Sequence, residues 1–412
     1  MKTDSEELAA LALEWVSSVG VADGDRVWWS SRPSSDEPDP GIYHGVAGIM
    51  LSLLEAHAHF GDQRWADLAA QATAWLAVAV DSNEYAPYPS LYGGLAGMAW
   101  ALHEAGSYFD DDAARSAARR GLERVRAGFD GERWNDSYEL LFGNAGIALA
   151  ALRVGDADLA EAAITSYLRT AEPTPYGQTW EHLRGRPTRW HHVAHGTMGI
   201  AYALAATGTA LGRGDLMDAA LAGVADVAAR NEAGPDGFLV PHSDPQQVHP
   251  GVERYAYGWC HGPSGDAQVF RLLAQVTGDD AWRSLVDRCW HTVTTSGLPA
   301  RLRPGFWDNS GRCCGTAGVL ALACDREVED GDGRAFADVL VADIASRAMV
   351  DASGARWSNY EHRVDPPDLE PRPGWSMGNA GLIRELLRYA RIADGRDPAY
   401  AIQWPDQPAA NG

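Results

Sequence analysis

Residues Tyr43–Asp62 read YHGVAGIMLSLLEAHAHFGD: a Gly-x-x-Gly, a small and apolar run long enough for a helix, and a Gly-Asp break. The same template returns along the chain as YGGLAGMA, LFGNAGIA, AHGTMGIA, CHGPSGDA, CCGTAGVL and SMGNAGLI, with the first glycine at Gly45, Gly94, Gly143, Gly196, Gly262, Gly315 and Gly378. Those starts lie 49, 49, 53, 66, 53 and 63 residues apart. A period of this length marks a repeat architecture built from one supersecondary unit.

Each apolar stretch is often closed by Gly-Asp, at Gly61-Asp62, Gly155-Asp156, Gly214-Asp215, Gly278-Asp279 and Gly331-Asp332. Glycine can end a helix in a left-handed cap, and aspartate can start the next. A more amphipathic segment follows, such as QRWADLAAQATAWLAVAV. The unit is therefore a helical hairpin, with an apolar inner helix packed on both sides and an amphipathic outer helix facing water.

Seven such hairpins predict an all-α fold, a double-layered α/α toroid or (α/α)7 barrel, formed by residues 1–412 as a single domain. The last copy has little sequence after it, and the unpaired N-terminal helix, at about residues 5–18, is expected to close the outer ring. Proline- and glycine-rich segments such as Glu172–Ala194 and Ser353–Met377 enter the inner helices. They are expected to gather at one end of the ring, where a rigid scaffold presents its functional loops.

Bulk properties narrow the function. Of 412 residues, 46% are hydrophobic and 22% charged, as in a globular chain with a large core. A net charge of -22 without a basic cluster speaks against a nucleic-acid partner. The acidic N-terminus lacks the pattern of a signal peptide, and no run is long and apolar enough for a membrane span. A soluble, cytoplasmic protein is expected.

The cysteines are five: Cys260, Cys289, Cys313, Cys314 and Cys324. Cys289 and Cys324 fall within helical patterns and read as buried small residues. The pairs preceding each Gly-x-x-Gly are Tyr43-His44, Tyr92-Gly93, Leu141-Phe142, Ala194-His195, Cys260-His261, Cys313-Cys314 and Ser376-Met377. Cysteine occurs there only in the fifth and sixth copies, which are ring neighbours. On spacing alone two readings are open. Cys260, Cys313 and Cys314 are either small residues at crowded helix starts or three thiolates of one zinc site with a fourth position free.

The sevenfold toroid, together with AHGTMG, WCHGPSG and CCGTAG, resembles the LanC-like family of lanthionine cyclases, over about Gly41 to Gly381. The resemblance implies a zinc-dependent lanthipeptide cyclase. Such an enzyme adds a cysteine thiol to dehydroalanine or dehydrobutyrine of a precursor peptide, forming a thioether ring. It implies one Zn2+ held by Cys260, Cys313 and Cys314, with water or the substrate thiol in the open position. Here Cys314 stands where the family more often has histidine, so the loaded site with substrate thiolate would carry charge -2.

His195 matches the family's acid/base histidine, although a helix-capping role is the plain alternative. His261 and His44 occupy equivalent slots, His261 being a further acid/base candidate and His44 facing substrate. Glu139 precedes its Gly-x-x-Gly where the relatives carry Asp or Glu, and either orients or deprotonates the substrate or is simply a carboxylate at a helix N-terminus. Trp259 is expected to wall the substrate site, while His191 and His192 read as solvated loop residues.

The implied partners are a dehydrated precursor peptide and separate dehydratase or kinase/lyase enzymes, since the toroid occupies the chain. The alternative within the family adds glutathione or another small thiol to dehydroamino acids in proteins. More distant readings are a toroidal glycosidase, using loop carboxylates such as Asp308 and Glu361, and a non-catalytic peptide-binding scaffold.

Overall fold

The computed structural model describes residues 5–84, 88–246, 253–303, 306–361 and 365–408. Among them are fourteen helices, arranged as a double-layered α/α toroid. The inner ring consists of α2 (Val46–Phe60), α4 (Leu95–Tyr108), α6 (Asn144–Val154), α8 (Thr197–Leu211), α10 (Pro263–Thr277), α12 (Thr316–Asp330) and α14 (Asn379–Ala393). Each packs on the next, and α14 returns to α2. The outer ring consists of α3 (Gln63–Ala79), α5 (Asp112–Ala127), α7 (Ala157–Thr170), α9 (Gly214–Ala229), α11 (Ala281–Thr295), α13 (Arg334–Arg347) and α1 (Ser5–Ser18). Helix α1 lies against α14, and the Asn379 amide donates to Ala12 O across that contact at 3.2 Å.

The two layers follow from composition. Every residue of α2 from Val46 to Ala56 is buried, because an inner helix has neighbours on both sides and an outer helix behind it. Helix α5 buries only Ala114, Ala117, Ala118, Gly121, Leu122 and Val125, one stripe at helical spacing, and gives its arginines to solvent. Cys289 and Cys324 are buried within α11 and α12.

Gly61 ends α2 in the left-handed region, and the Asp62 carboxylate accepts the Arg64 N–H at the start of α3. The other Gly-Asp breaks vary. Helix α8 ends at Gly212, and Gly214 already belongs to α9, whose capping position is Arg213. Asp332 caps nothing; it pairs instead with Arg326, which it can reach back along α12.

The Gly-x-x-Gly itself has a steric cause. A Cβ on Gly45 would stand 1.8 Å from Asp39 O, and one on Gly48 would stand 2.1 Å from Ile42 O. The entering loop crosses the helix start so closely that its carbonyls touch the glycine Cα atoms. The same crossing recurs at Gly265, where a Cβ would lie 1.9 Å from Trp259 O. The inner-helix caps therefore lack side-chain acceptors, and loop carbonyls take over. Val46 N–H donates to Asp39 O at 2.7 Å and Leu95 N–H to Tyr88 O at 2.8 Å.

One consequence organises the whole molecule. The residue two places before each first glycine donates its N–H to the carbonyl of its counterpart in the next copy: Tyr43 to Tyr92, then Leu141, Ala194, Cys260, Cys313, Ser376 and back to Tyr43. These seven bonds, of 2.9 to 3.4 Å, form a closed backbone ring across the pore at the N-terminal end of the inner helices.

From the other end, the segment after α14 climbs the pore. Arg391 and Arg388 bind its carbonyls at Ala399 and Pro398, and Ala401 N–H donates to the buried Glu55. Trp404 then stacks on Trp375 at 4.7 Å, and Asp406 accepts the Tyr92 hydroxyl at 2.8 Å, directly beneath the ring.

Candidate metal and acid/base site

The backbone ring sets where the chemistry-bearing side chains meet. Cys260 and Cys313 occupy successive ring positions, the N–H of Cys260 donating to Cys313 O at 3.2 Å, and Cys314 follows Cys313. Their sulfurs all lie within 4.8 Å of one another, with Cys260 Sγ 3.0 Å and Cys313 Sγ 3.4 Å from Cys314 Sγ. Cys260 and Cys313 are buried, while Cys314 is open to a cavity of about 560 Å³.

Cys313 accepts from both Cys314 Sγ and the Tyr43 hydroxyl. Hydrogen bonds from Cys260, Cys314 and the Tyr43 hydroxyl hold its thiol well below the ordinary cysteine value, against the cost of burial. Its neighbour Cys260 is pushed up by the same crowding and by burial. The Tyr43 hydroxyl lies 3.1 Å from Cys313 Sγ, and burial together with the nearby sulfurs keeps that phenol protonated.

The donor set suits a soft or borderline cation. Three thiols from two adjacent inner-helix starts offer three corners of a tetrahedron, and the side of Cys314 facing the cavity leaves room for a fourth ligand. The helix N-termini beneath them favour negative charge on sulfur. A site of this kind can hold zinc, among the described residues the one cluster of His, Cys or acidic groups arranged for a metal.

His195, next around the ring, lines the same cavity. Its Nδ1 lies 3.4 Å from the buried Glu139 carboxylate, which is fixed in turn by the N–H groups of Leu141 and Phe142. Burial opposes a charged imidazole here, but Glu139 outweighs it and raises His195 above the usual histidine value. The pair is thus built to hold a proton at the cavity wall.

His261 is not among the sulfurs. Its ring lies 5.4 Å from His195, 4.7 Å from His242 and 4.8 Å from Trp190, forming one aromatic wall of the cavity. His44 also faces the cavity, with Nδ1 3.2 Å from Ser376 Oγ, and burial together with Arg372 lowers it to about 4.

Three expectations change. Trp259 does not line the cavity; it is buried with its indole against Trp375, Tyr92 and Arg312 below the ring. Consecutive residues of the turn that enters α10 point to opposite sides of the ring, Cys260 to the cavity and Trp259 to the pore. His191 and His192 are not solvated. His191 Nδ1 bonds Pro241 O at 2.7 Å, and His192 Nδ1 bonds the buried Asp266 at 2.7 Å, tying the loop before α8 to the loop before α10 and to α10 itself.

Sequence reasoning passed over Tyr43, Trp190 and His242. Tyr43 occupies the same slot as Cys260 and Cys313, so alignment of the copies contained the signal. Trp190 and His242 had none, because they are joined by a short ladder pairing Arg189–Trp190 with Ser243–Asp244 across loops of unequal length. Asp308 and Glu361 lie on the rim of this same cavity.

A model of the lanthionine synthetase C-like protein family matches residues 36–233 and 243–340. Among solved structures, nisin cyclase is similar with a TM-score of 0.65 at 15% identity, over 93% of this chain and 93% of that one. Unsaturated glucuronyl hydrolase from Bacillus sp. GL1 has a TM-score of 0.48 at 14% identity, over 93% of this chain and 94% of its own. Cellobiose 2-epimerase from Bacillus thermoamylovorans B4167 has a TM-score of 0.47 at 11% identity, over 74% of this chain and 91% of that one. The nisin cyclase likeness bears on the fold and agrees with the α/α toroid. No curated protein sequence matches the chain. No described helix is long and apolar enough to cross a membrane.

Proposed function

Because this chain belongs to the lanthionine synthetase C-like family, we propose that it is a zinc-dependent cyclase, a single toroidal domain that forms thioether rings in a dehydrated precursor peptide. The observation that carries this reading is the meeting, in one cavity, of three cysteine sulfurs with a histidine held by a buried carboxylate. Cys260, Cys313 and Cys314 would hold the zinc, which when bound supplies a Lewis acid that lowers the pKa of a substrate thiol.

The chain's own groups account for the rest. Trp190, His261 and His44 line the cavity that would receive the peptide. A substrate cysteine thiol gives up its proton to cavity water, which returns one to His195 after turnover, and its sulfur forms a C–S bond to the β-carbon of a dehydro residue. The alkene electron pair shifts to the α-carbon and its carbonyl as an enolate. His195, charged through Glu139, delivers a proton from its cavity-facing side to the α-carbon. The sum is an isomerisation, so the peptide's mass does not change. The dehydro residues must be supplied by a prior dehydration of the peptide.

The test is to incubate zinc-loaded protein with a dehydrated, cysteine-bearing peptide, with and without glutathione. Loss of an alkylatable thiol at constant mass supports cyclisation. Gain of one glutathione mass moves the assignment to small-thiol addition. Native protein that takes up no stoichiometric zinc overturns both.

A further inference from the structure

We propose that Tyr43 is a positioning residue of the metal centre: its hydroxyl donates to Cys313 Sγ and draws off part of the excess negative charge of a three-cysteine site. The inference rests on the metal reading above and adds a residue that acts through a ligand.

A dication held by three thiolates is an anionic centre even before a thiol substrate enters. Such a centre needs donors aimed at sulfur, because a hydrogen bond to a charged acceptor is stronger than one to a neutral group. The backbone N–H groups of Cys260 and Cys313 cannot supply them. The N–H of Cys260 is committed to Cys313 O, and that of Cys313 to Ser376 O, as links of the closed ring. The hydroxyl of Tyr43, 3.1 Å from Cys313 Sγ, is in position to do so.

Its placement is enforced from every side. The Tyr43 backbone is a ring member, donating to Tyr92 O and accepting from Ser376 N. Its phenol is boxed by His44 at 4.5 Å, Tyr92 and Trp375 at 6.3 Å, and Phe142 at 6.4 Å. Holding the donor in line with sulfur therefore costs little further entropy. The residue reaches from the first copy to the sixth across the seventh, so it belongs to the site only because the ring closes.

The neighbouring Tyr92 provides the contrast. It occupies the same slot in the second copy, but its hydroxyl turns below the ring to Asp406 at 2.8 Å and bonds no sulfur. Two buried tyrosines in equivalent backbone positions thus differ in the acceptor they serve.

The experiment uses the full chain with Co2+ in place of zinc and compares wild type, Tyr43→Phe and Tyr92→Phe. In wild type, thiolate-to-cobalt charge-transfer absorption reports the sulfurs. Removing a donor from one of them raises its lone-pair energy, so Tyr43→Phe is expected to move this band to longer wavelength. Its cobalt affinity should fall roughly 10- to 100-fold, the usual cost of losing an outer hydrogen bond to a ligand. Tyr92→Phe should leave the band in place. A band unmoved in Tyr43→Phe, or moved equally in Tyr92→Phe, overturns the proposal. Absence of any thiolate band in wild type overturns instead the metal reading on which it rests.

Discussion

Replacing Glu139 by glutamine removes one charge from beside His195 while keeping the side chain's shape. The Glu139 carboxylate is buried, 3.4 Å from His195 Nδ1, and accepts the N–H groups of Leu141 and Phe142. Leu141 N–H and Phe142 N–H go to different carboxylate oxygens, so a glutamine oxygen keeps one of these bonds and the loop before α6 loses the other. What is lost is the attraction that lets His195 carry a proton in spite of its burial. An opposite charge at this range shifts a pKa by about 1–3 units. With the carboxylate gone, only the nearby Cys313 still opposes desolvation, and the His195 midpoint is expected to drop by that amount.

The sign follows for activity. Imidazolium is the form that can donate to the α-carbon, so its loss at lower pH should move the basic limb of the kcat/KM profile downward by the same interval. Histidine NMR titration of wild type and Glu139→Gln measures the midpoint directly and needs no substrate. An unchanged or raised His195 midpoint in Glu139→Gln would refute the assignment of Glu139 as the group that holds the proton.

Cys314→His should retain one zinc per chain, since imidazole is an equally good ligand, but should slow cyclisation because the centre becomes one unit less negative and the substrate sulfur less nucleophilic. Equal or faster turnover at full metal occupancy argues against that. Gly48→Ala, a change worth about 1 kcal/mol of stabilisation in an ordinary helix interior, should instead destabilise strongly, because its Cβ would meet Ile42 O at 2.1 Å. A wild-type urea midpoint is the contrary result. Trp404→Ala should cost about 3–5 kcal/mol by emptying the pore beneath the ring, where the indole stacks on Trp375 and meets Trp100 edge-on at 5.6 Å. An unchanged urea midpoint would show that the segment contributes little.

Acid should also weaken the fold. Burial lowers His191 to about 4 and His242 to about 3, so both stay neutral in the folded chain below the pH at which the unfolded chain protonates them. Between about pH 6.5 and 4 the unfolded state therefore binds more protons, and each such histidine removes about 1.4 kcal/mol per pH unit as pH falls. The stability is complete above pH 6.5. Urea midpoints at pH 7 and 5 check this, and equal values would contradict it.

The toroid was legible because it is written in local chemistry. A Gly-x-x-Gly is needed wherever a loop must cross a helix start at contact distance, and seven of them announce seven crossings, whatever the tertiary arrangement. Buried all-round helices alternating with one-sided ones likewise fix two layers, since burial pattern follows the number of neighbours. Cys260, Cys313 and Cys314 stood out for the same reason: they fill aligned slots of adjacent copies.

What the tertiary structure decided depends on distances between copies, which no repeat encodes. Ring closure brings Tyr43 to Cys313 across 270 residues of sequence. The strand pairing between two unequal loops sets Trp190 and His242 against His261, and buries His192 on Asp266. The turn that enters α10 sets Cys260 toward the cavity and Trp259 away from it. The sequence by itself determined which residue types occupy each slot, because periodicity is a property of the chain. Which slots face sulfur, solvent or the aromatic pore was decided only when seven backbone hydrogen bonds closed the circle, because orientation is a property of the ring.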